Sequence, residues 1–454
     1  MTVRNRIAST LAANGFGQAV TIVSQLGLTP LFFSIWGSQK YGEWLIISSI
    51  PAYLAMADFG IGSAAGNDMS IRAAAGDLAG AQSTFRGALL LGMLAAAIVV
   101  LAGIVAGTVG YVYGIPATPS IGRISAGAMM LLFAIGVGAS FLGNIVSGGY
   151  RCCGSNAIGI ILSNISRLTE VIVTALLLVR GASPVVVCGI VLLVKLTLQA
   201  LQLFLLRRRC EWLFHPPQAA DKTLVRRLIQ PALGFLAFPL GNAMLLQGPI
   251  LVLGAVFGGT SVAIFSAMRT IARMPLQVTA ALNSSVWPEL SLAFGAKDSN
   301  LVRKLHRFAS GSSFAINAIL GVLLAWFGSE IAKRWLGSEV AFNHVVFLGL
   351  LILTLLSAFW NASAVVLVAT NTHMRFGILY MGFTTAGMLL SYLAARVFQI
   401  PGFMAAMIVT EIAFIIIAIP MTLKVTGDSL LDFCWQTVGW PFLTAREFMA
   451  LRKA

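Results

Sequence analysis

The sequence predicts an all-α polytopic membrane protein with about 12 transmembrane helices, on three observations. Apolar runs long enough to cross a bilayer recur along all 454 residues. Short polar connectors separate them. The composition is 58% hydrophobic and 10% charged, with a mean hydropathy of +0.90. A hydrocarbon core ~30 Å thick takes about 20 apolar residues per helix, and backbone left unpaired in lipid is prohibitively costly. Most of the chain must therefore be packed helix.

The predicted spans are 11–35, 42–65, 87–112, 124–148, 157–179, 185–206, 231–256, 261–286, 308–328, 343–369, 376–395 and 402–423. Asn14, Gln18, Ser24 and Gln25 interrupt the first, and Pro30 follows without an Ala-x-Ala site. It reads as a span with one polar face rather than a cleaved leader. Gln18 and Gln25 share that face. Span 2 places Asp58 towards the cytoplasm, while Gly62-x-x-x-Gly66 and Gly103-x-x-x-Gly107 fit close helix packing. Counting ~1.5 Å per residue puts Arg167 (span 5), Lys195 (span 6), Arg273 (span 8) and Glu411 (span 12) near the midplane. Span 7 carries Asn242 and Gln247. Arg269 lies in the outer half of span 8, four residues before Arg273 and on the same face. Pro275 just after them is positioned to kink the helix. Residues 428–454 are too polar to cross. There Trp435, Trp440, Phe442, Phe448 and Leu451 alternate with polar residues, as in an interfacial segment on the cytoplasmic leaflet, broken at Pro441.

An even number of spans puts both ends on one side, and Lys/Arg placement says which. With the termini inside, cytoplasmic segments hold about twenty of the 30 Lys and Arg residues, including the block Arg207-Arg208-Arg209. Outside lie Lys40, Arg123, Arg180, Lys333, Arg334 and Arg396. Both termini are expected in the cytoplasm. The net charge of +15 then reflects topology and anionic-lipid contact rather than nucleic-acid binding.

Catalytic and metal chemistry find little support. Cys152 and Cys153 are adjacent, a poor geometry for a mutual disulfide. Cys188 sits in a span, Cys210 beside the Arg block, and His215, His306, His344 and His373 are scattered. No metal-ligand spacing appears. The longest outer connector, roughly 329–342, holds no carboxylate pair, nucleophile–base arrangement or phosphate loop. The chain is not expected to be an enzyme or to carry a cofactor.

A shift of 221 residues superposes several features without gaps: Trp36-Gly37 on Phe257-Gly258, Trp44 on Phe265, Ala75-x-Asp77 on Ala296-x-Asp298, and Arg86 on Arg307. It also maps spans 1–3 onto spans 7–9. This predicts two six-helix bundles, 1–206 and 231–424, joined by a basic cytoplasmic linker 207–230 and followed by the tail 425–454.

The segment Trp36-Gly37-Ser38-Gln39-Lys40-Tyr41-Gly42-Glu43-Trp44, then Tyr53 and Asp58-Phe59-Gly60-Ile61-Gly62, resembles the second-span signature of Wzx-type oligosaccharide flippases. Those flippases share a superfamily with the multidrug and toxin extrusion (MATE) transporters and the lipid II flippase. Ala263-Ile264-Phe265-Ser266-Ala267-Met268-Arg269 and Trp287-Pro288-Glu289-Leu290 look similar too, with Phe265 where the family often has Tyr. The motifs cover about fifty residues. The resemblance implies a V-shaped twelve-helix fold working by alternating access. It also implies a flippase carrying a polyprenyl-pyrophosphate-linked oligosaccharide to the outer leaflet for surface polysaccharide such as O-antigen or exopolysaccharide. A polysaccharide polymerase and glycosyltransferases would be its partners, and a proton or sodium ion its coupling ion.

A charge deep in lipid costs at least ~2.5 kcal/mol and usually faces water or a partner. Arg269 and Arg273 are the leading pyrophosphate ligands, since a guanidinium offers fixed paired donors. Lys195, Arg167, Gln18, Gln25 and Asn242 are further substrate-binding candidates, and Glu411 and Asp58 coupling candidates. The structural alternatives stay open: Arg269 and Arg273 with Asp58, Glu170 or Glu411, Arg167 with Glu170, Lys195 with Glu411, and amides serving only as interhelical bonds. Four cations against Asp58, Glu170 and Glu411 leave about one excess positive charge. A MATE-like drug or cation antiporter is the other transporter reading, although span 1 holds no Asp or Glu. A membrane polysaccharide polymerase or ligase is the reading from another class.

Overall fold

A computed structural model of the protein describes residues 3–56, 61–113, 119–215, 237–337, 342–370, 372, 374–435 and 437. Asp58, most of the linker 207–230 and the tail beyond 437 lie outside the described residues. Among those described there is no strand. The helices are α1 (Val3–Met56), α2 (Ile61–Ala74), α3 (Leu78–Tyr113), α4 (Arg123–Cys152), α5 (Asn156–Val179), α6 (Pro184–Arg209), α7 (Ala237–Phe257), α8 (Gly259–Ala272), α9 (Met274–Gly295), α10 (Ser299–Leu336), α11 (His344–Ala369) and α12 (Met374–Thr426). A 3₁₀ turn, Glu211–Phe214, follows α6.

The predicted spans fall on these helices, and backbone conformation separates them. α1 has 54 residues, about 80 Å at 1.5 Å per residue, more than twice the hydrocarbon thickness. Gly37, at φ 70° and ψ 168°, breaks it between the first and second predicted spans. Gln399, at φ 56° and ψ −149°, divides α12 between the last two. Span 8 is broken at Arg273, between α8 and α9. Pro275 follows at the second position of α9, where it has no N–H to give back across the break.

The chain forms two compact units, Met1–Ala263 and Ile264–Ala454. In the first, α3 and α4 are the most intimately packed helices, because small residues let their backbones approach. A Cβ on Gly107 would sit 3.0 Å from the Gly127 carbonyl oxygen, and one on Gly103 2.4 Å from Ala134 Cβ. Gly66 likewise abuts the backbone of Gly148. Both glycine motifs therefore lie at helix contacts. α7 packs on α1, so the first unit extends beyond the 1–206 bundle of the sequence repeat. In the second unit the core is aromatic: Trp360, Phe376, Tyr380 and Phe414 are fully buried with ring centres 4.8–5.9 Å apart.

The 221-residue shift reappears in bond geometry. Gly37 and Gly258 both have positive φ, as do Gly76 and Lys297. The turn before α3 closes with Asp77 N to Arg72 O (2.9 Å), and the turn before α10 with Asp298 N to Ala293 O (3.0 Å). Asp77 then accepts from Gly80 N at 2.8 Å and Asp298 from Leu301 N at 2.9 Å, capping the two helices in the same register. The next turns repeat as well. Gln82 donates to Trp212 O (2.6 Å) and Arg86 to Phe214 O (3.0 Å), while Phe85 and Phe214 meet edge to face. At the shifted positions Arg303 donates to Gly427 O (2.9 Å), Arg307 grips the Asp428 carboxylate, and His306 stacks on Phe433. Each repeat thus ties the start of its third span to the turn after its sixth.

Candidate substrate and coupling sites

In the second unit the broken span 8 sets the site. Thr354 of α11 donates to the Ala272 carbonyl at 3.1 Å, holding the end of α8. Arg273, the residue at the break, interacts electrostatically with Glu411 and Tyr380 of α12. Glu411 is 4% exposed. Trp360 Nε1 donates to its Oε2 at 2.6 Å, and Ser357 donates as well. A buried carboxyl group needs hydrogen-bond partners; Glu411 has Trp360 and Ser357, with Arg273 acting on it electrostatically. Arg269 stands one helical turn before Arg273, partly exposed, its guanidinium 5.4 Å from the Phe265 ring centre. That ring packs edge to face on Phe403.

In the first unit Lys195 of α6 donates to Gly136 O (2.9 Å) and Ser140 Oγ (2.6 Å) of α4, and interacts electrostatically with Glu170 of α5. Ser166 donates to Glu170 at 3.2 Å. Arg167, exposed, reaches α1 instead, where Nη1 donates to Thr21 Oγ1 at 3.1 Å. Thr21 stands between Gln18 and Gln25 at three and four residues' spacing, so all three share one face of α1. Both glutamines are exposed. Helices α1 and α5 are held together below this face by Asn164 Nδ2 donating to Ala13 O (3.0 Å), with Gly17 making room for the Asn164 amide. The structure thus brings Gln18, Gln25 and Arg167 onto one polar face. Asn242 is half-buried on α7.

Of the pairings left open by the sequence, the structure brings Arg273 towards Glu411, whereas Lys195 lies with Glu170 rather than with Glu411. Glu411 has Arg273 as its cation, and Lys195 has Glu170 as its anion, each within its own unit. Arg167 adds only a lesser attraction to Glu170. Spacing along one helix cannot reveal which residues of its neighbours it faces.

Two features escaped sequence reasoning. The sulfur atoms of Cys153 and Cys210 meet, Cα atoms 6.4 Å apart, bringing the α4–α5 turn against the end of α6. Fifty-seven residues separate them, and no spacing rule links such a pair. The second is Glu43, fully buried in the quoted motif. Its carboxylate accepts from Ser120 N (3.1 Å), Ile121 N (2.8 Å) and Gln39 Nε2 (2.8 Å), fastening the loop before α4. Gln39 Oε1 in turn accepts from Thr260 Oγ1 at 2.7 Å. Residues 39 and 260 are themselves related by the 221-residue shift. Beside them Gly42 leaves no room for a side chain against the Gly259 carbonyl. The motif's Gln and Glu were the available signal.

No protein-family model and no curated protein matches the sequence. Solved structures do match. An inward-facing multidrug-resistance MATE family transporter of the MOP superfamily aligns with a TM-score of 0.73 at 14% identity, over 90% of this chain and 96% of that one. An outward-facing MATE transporter of the same superfamily aligns at 0.66 and 13%, over 93% and 96%. A MOP superfamily transporter from Pyrococcus furiosus, described as having a binding pocket of reverse polarity, aligns at 0.62 and 13%, over 93% and 96%. Transporters of this type have 12 helices in two bundles. Spanning almost the whole of each, the present chain is a multi-pass membrane protein with the MATE transporter fold.

Proposed function

We propose that the protein is a flippase moving a polyprenyl-pyrophosphate-linked oligosaccharide from the cytoplasmic to the outer leaflet of a bacterial inner membrane, with both termini cytoplasmic. The observation that carries this reading is the unequal availability of charge. Among the described intramembrane candidates, the acids are engaged: Glu411 by Arg273, Trp360 and Ser357, and Glu170 by Lys195 and Ser166. The exposed charge is cationic, Arg167, while Arg269 is half-buried, as are Glu170, Lys195 and Arg273. Guanidinium groups match phosphate in charge and in fork geometry, and the exposed amides of Gln18 and Gln25 suit sugar hydroxyls. Asn242 is a further amide of this kind, and Lys195 and Arg273 add positive potential behind the accessible groups. Glu411 and Asp58 are the acids available for coupling to a proton or sodium ion. Polymerase and glycosyltransferases of the same polysaccharide are the proposed partners.

A MATE-like drug antiporter is the second reading, favoured by the multidrug-resistance descriptions of the aligned structures. It needs an accessible acid for an organic cation. The acid in α1 is Glu43, and its carboxylate is spent on backbone N–H groups. The reverse polarity of the Pyrococcus furiosus protein's pocket is described as suggesting a different function for that transporter.

Glycan export in cells tests the proposal. Arg269→Ala should abolish surface glycan at normal protein level, and Arg269→Lys should restore only part of it, because a point charge replaces a fork. Full export by the alanine variant would remove Arg269 from the substrate site. Orientation is tested with single cysteines in a background lacking the native ones. An impermeant maleimide should label position 333 in intact cells and leave positions 208 and 297 unlabelled; labelling at 208 would overturn the topology.

A further inference from the structure

We propose that the groove between α3, α4 and α6 is a binding site for an anionic phospholipid, with one acyl chain in the groove and the phosphate at Arg207. The groove has a volume of about 370 Å³ and is walled by Ala96 and Val100 of α3, Gly138 and Leu142 of α4, and Ala200 and Leu203 of α6. Its floor is bare because α3 and α4 approach closely there: a Cβ on Gly138 would lie 2.9 Å from Ala96 Cβ. Leu196, Ala200 and Leu203 form one stripe of α6 at helical spacing, and Arg207 continues it. From Leu196 to Arg207 is about 16 Å of helix, roughly one leaflet of the ~30 Å core.

The stripe therefore runs from the bilayer interior to a charged mouth. Arg207, Arg208 and Arg209 are all exposed at that end, opposed locally by Glu211 alone among the residues next in sequence. Arg208 lies over the Phe204 ring at 4.6 Å, held at the rim rather than swung clear. A mainly apolar groove, with Gln199 and Gln202 as its polar lining and guanidinium groups one helical turn beyond Leu203, is complementary to a phosphate head on an acyl chain. Basic clusters of this kind at the membrane surface attract anionic head groups. The site lies wholly within the first unit and does not depend on the transported substrate.

Photo-crosslinking to the full-length protein in nanodiscs tests this, using phosphatidylglycerol with a diazirine midway along one 16-carbon chain. Labelled peptides should come from α3, α4 and α6. Unlabelled phosphatidylglycerol should compete, whereas phosphatidylcholine of the same chain length should not. Ala200→Trp, which fills the groove and leaves every charge in place, should remove the label. Replacing Arg207, Arg208 and Arg209 by Gln should weaken competition about fivefold per arginine. Labelling spread evenly over other lipid-facing helices, or equal competition by phosphatidylcholine, would overturn the site. Displacement by a polyprenyl phosphate that phosphatidylglycerol cannot reverse would overturn the choice of ligand. Mapping on the unmutated chain decides the matter even where a variant does not fold.

Discussion

The two repeats share their turns and differ in their charges. The start of the third span is built the same way in both, down to the capping aspartate and its register. Yet Gln82, Phe85 and Arg86 of the first repeat face carbonyls and an aromatic ring, whereas Arg303, His306 and Arg307 of the second surround Asp428, whose side chain is 2% exposed. The intramembrane groups diverge likewise. In the first unit the acid–base pair is only half-buried, with Arg167 at the surface; in the second, Glu411 is sealed among aromatic rings. Backbone geometry has been kept where it sets helix breaks. Side-chain chemistry has been free to specialise, so functional asymmetry should be sought in the charges.

Glu411→Ala leaves the buried Trp360 and Ser357 donors without their acceptor, at about 1–3 kcal/mol each, and takes the nearby negative charge away from Arg273. It should therefore be the most damaging single change, seen as a large fall in thermal unfolding temperature in detergent. Glu170→Gln, at a half-buried pair with alternative donors, should cost about 1 kcal/mol. Similar losses at both sites would erase the contrast. The double variant Glu411→Gln/Arg273→Met leaves no lone charge and should recover folding. If glycan export also recovers, Glu411 and Arg273 only balance each other; if export stays absent in the folded protein, at least one of the two charges acts in transport, and export by Arg273→Met with Glu411 intact assigns the role to Glu411. We expect the latter.

The tethers at the start of the third spans come next in size. Arg307→Gln removes a paired contact to a buried carboxylate and should cost roughly 2–3 kcal/mol, whereas Arg86→Gln gives up one bond to a neutral carbonyl, about 1 kcal/mol. Equal effects would mean that the charge of Asp428 is of no consequence to stability. The caps should differ least. Asp298→Ala should cost about 1 kcal/mol, and Asp77→Ala somewhat more, because Asp77 also pairs with Arg72 at 2.6 Å. A negligible effect at both would show that the shared register is inherited without contributing to stability.

Much of this was legible in the sequence. Hydropathy and the Trp36-Gly37 and Phe257-Gly258 pairs located the breaks between spans, because a positive φ at a helix junction favours glycine. The 221-residue shift foretold which turns would match. Gln399, however, adopts positive φ without being glycine, and nothing in its neighbourhood announced it. Charges were found but their partners were not singled out: Glu411 was one of three acids open to Arg273, and Lys195 was matched with Glu411 rather than Glu170, because helical period says which residues share a face, not which faces meet. Glu43 was visible only as part of a motif, since a carboxylate that fastens a loop looks like any other acid until the loop is placed.

The central claim is that this MATE-type fold carries an anionic lipid-linked glycan rather than an organic cation. Proteoliposomes holding the purified protein, with a fluorescent polyprenyl-pyrophosphate oligosaccharide in one leaflet, measure it directly. The account predicts protein-dependent appearance of the glycan in the opposite leaflet, abolished by Arg269→Ala. It also predicts no uptake of an organic cation such as ethidium under a proton or sodium gradient. Gradient-driven ethidium transport with the lipid-linked glycan left in its original leaflet would contradict it.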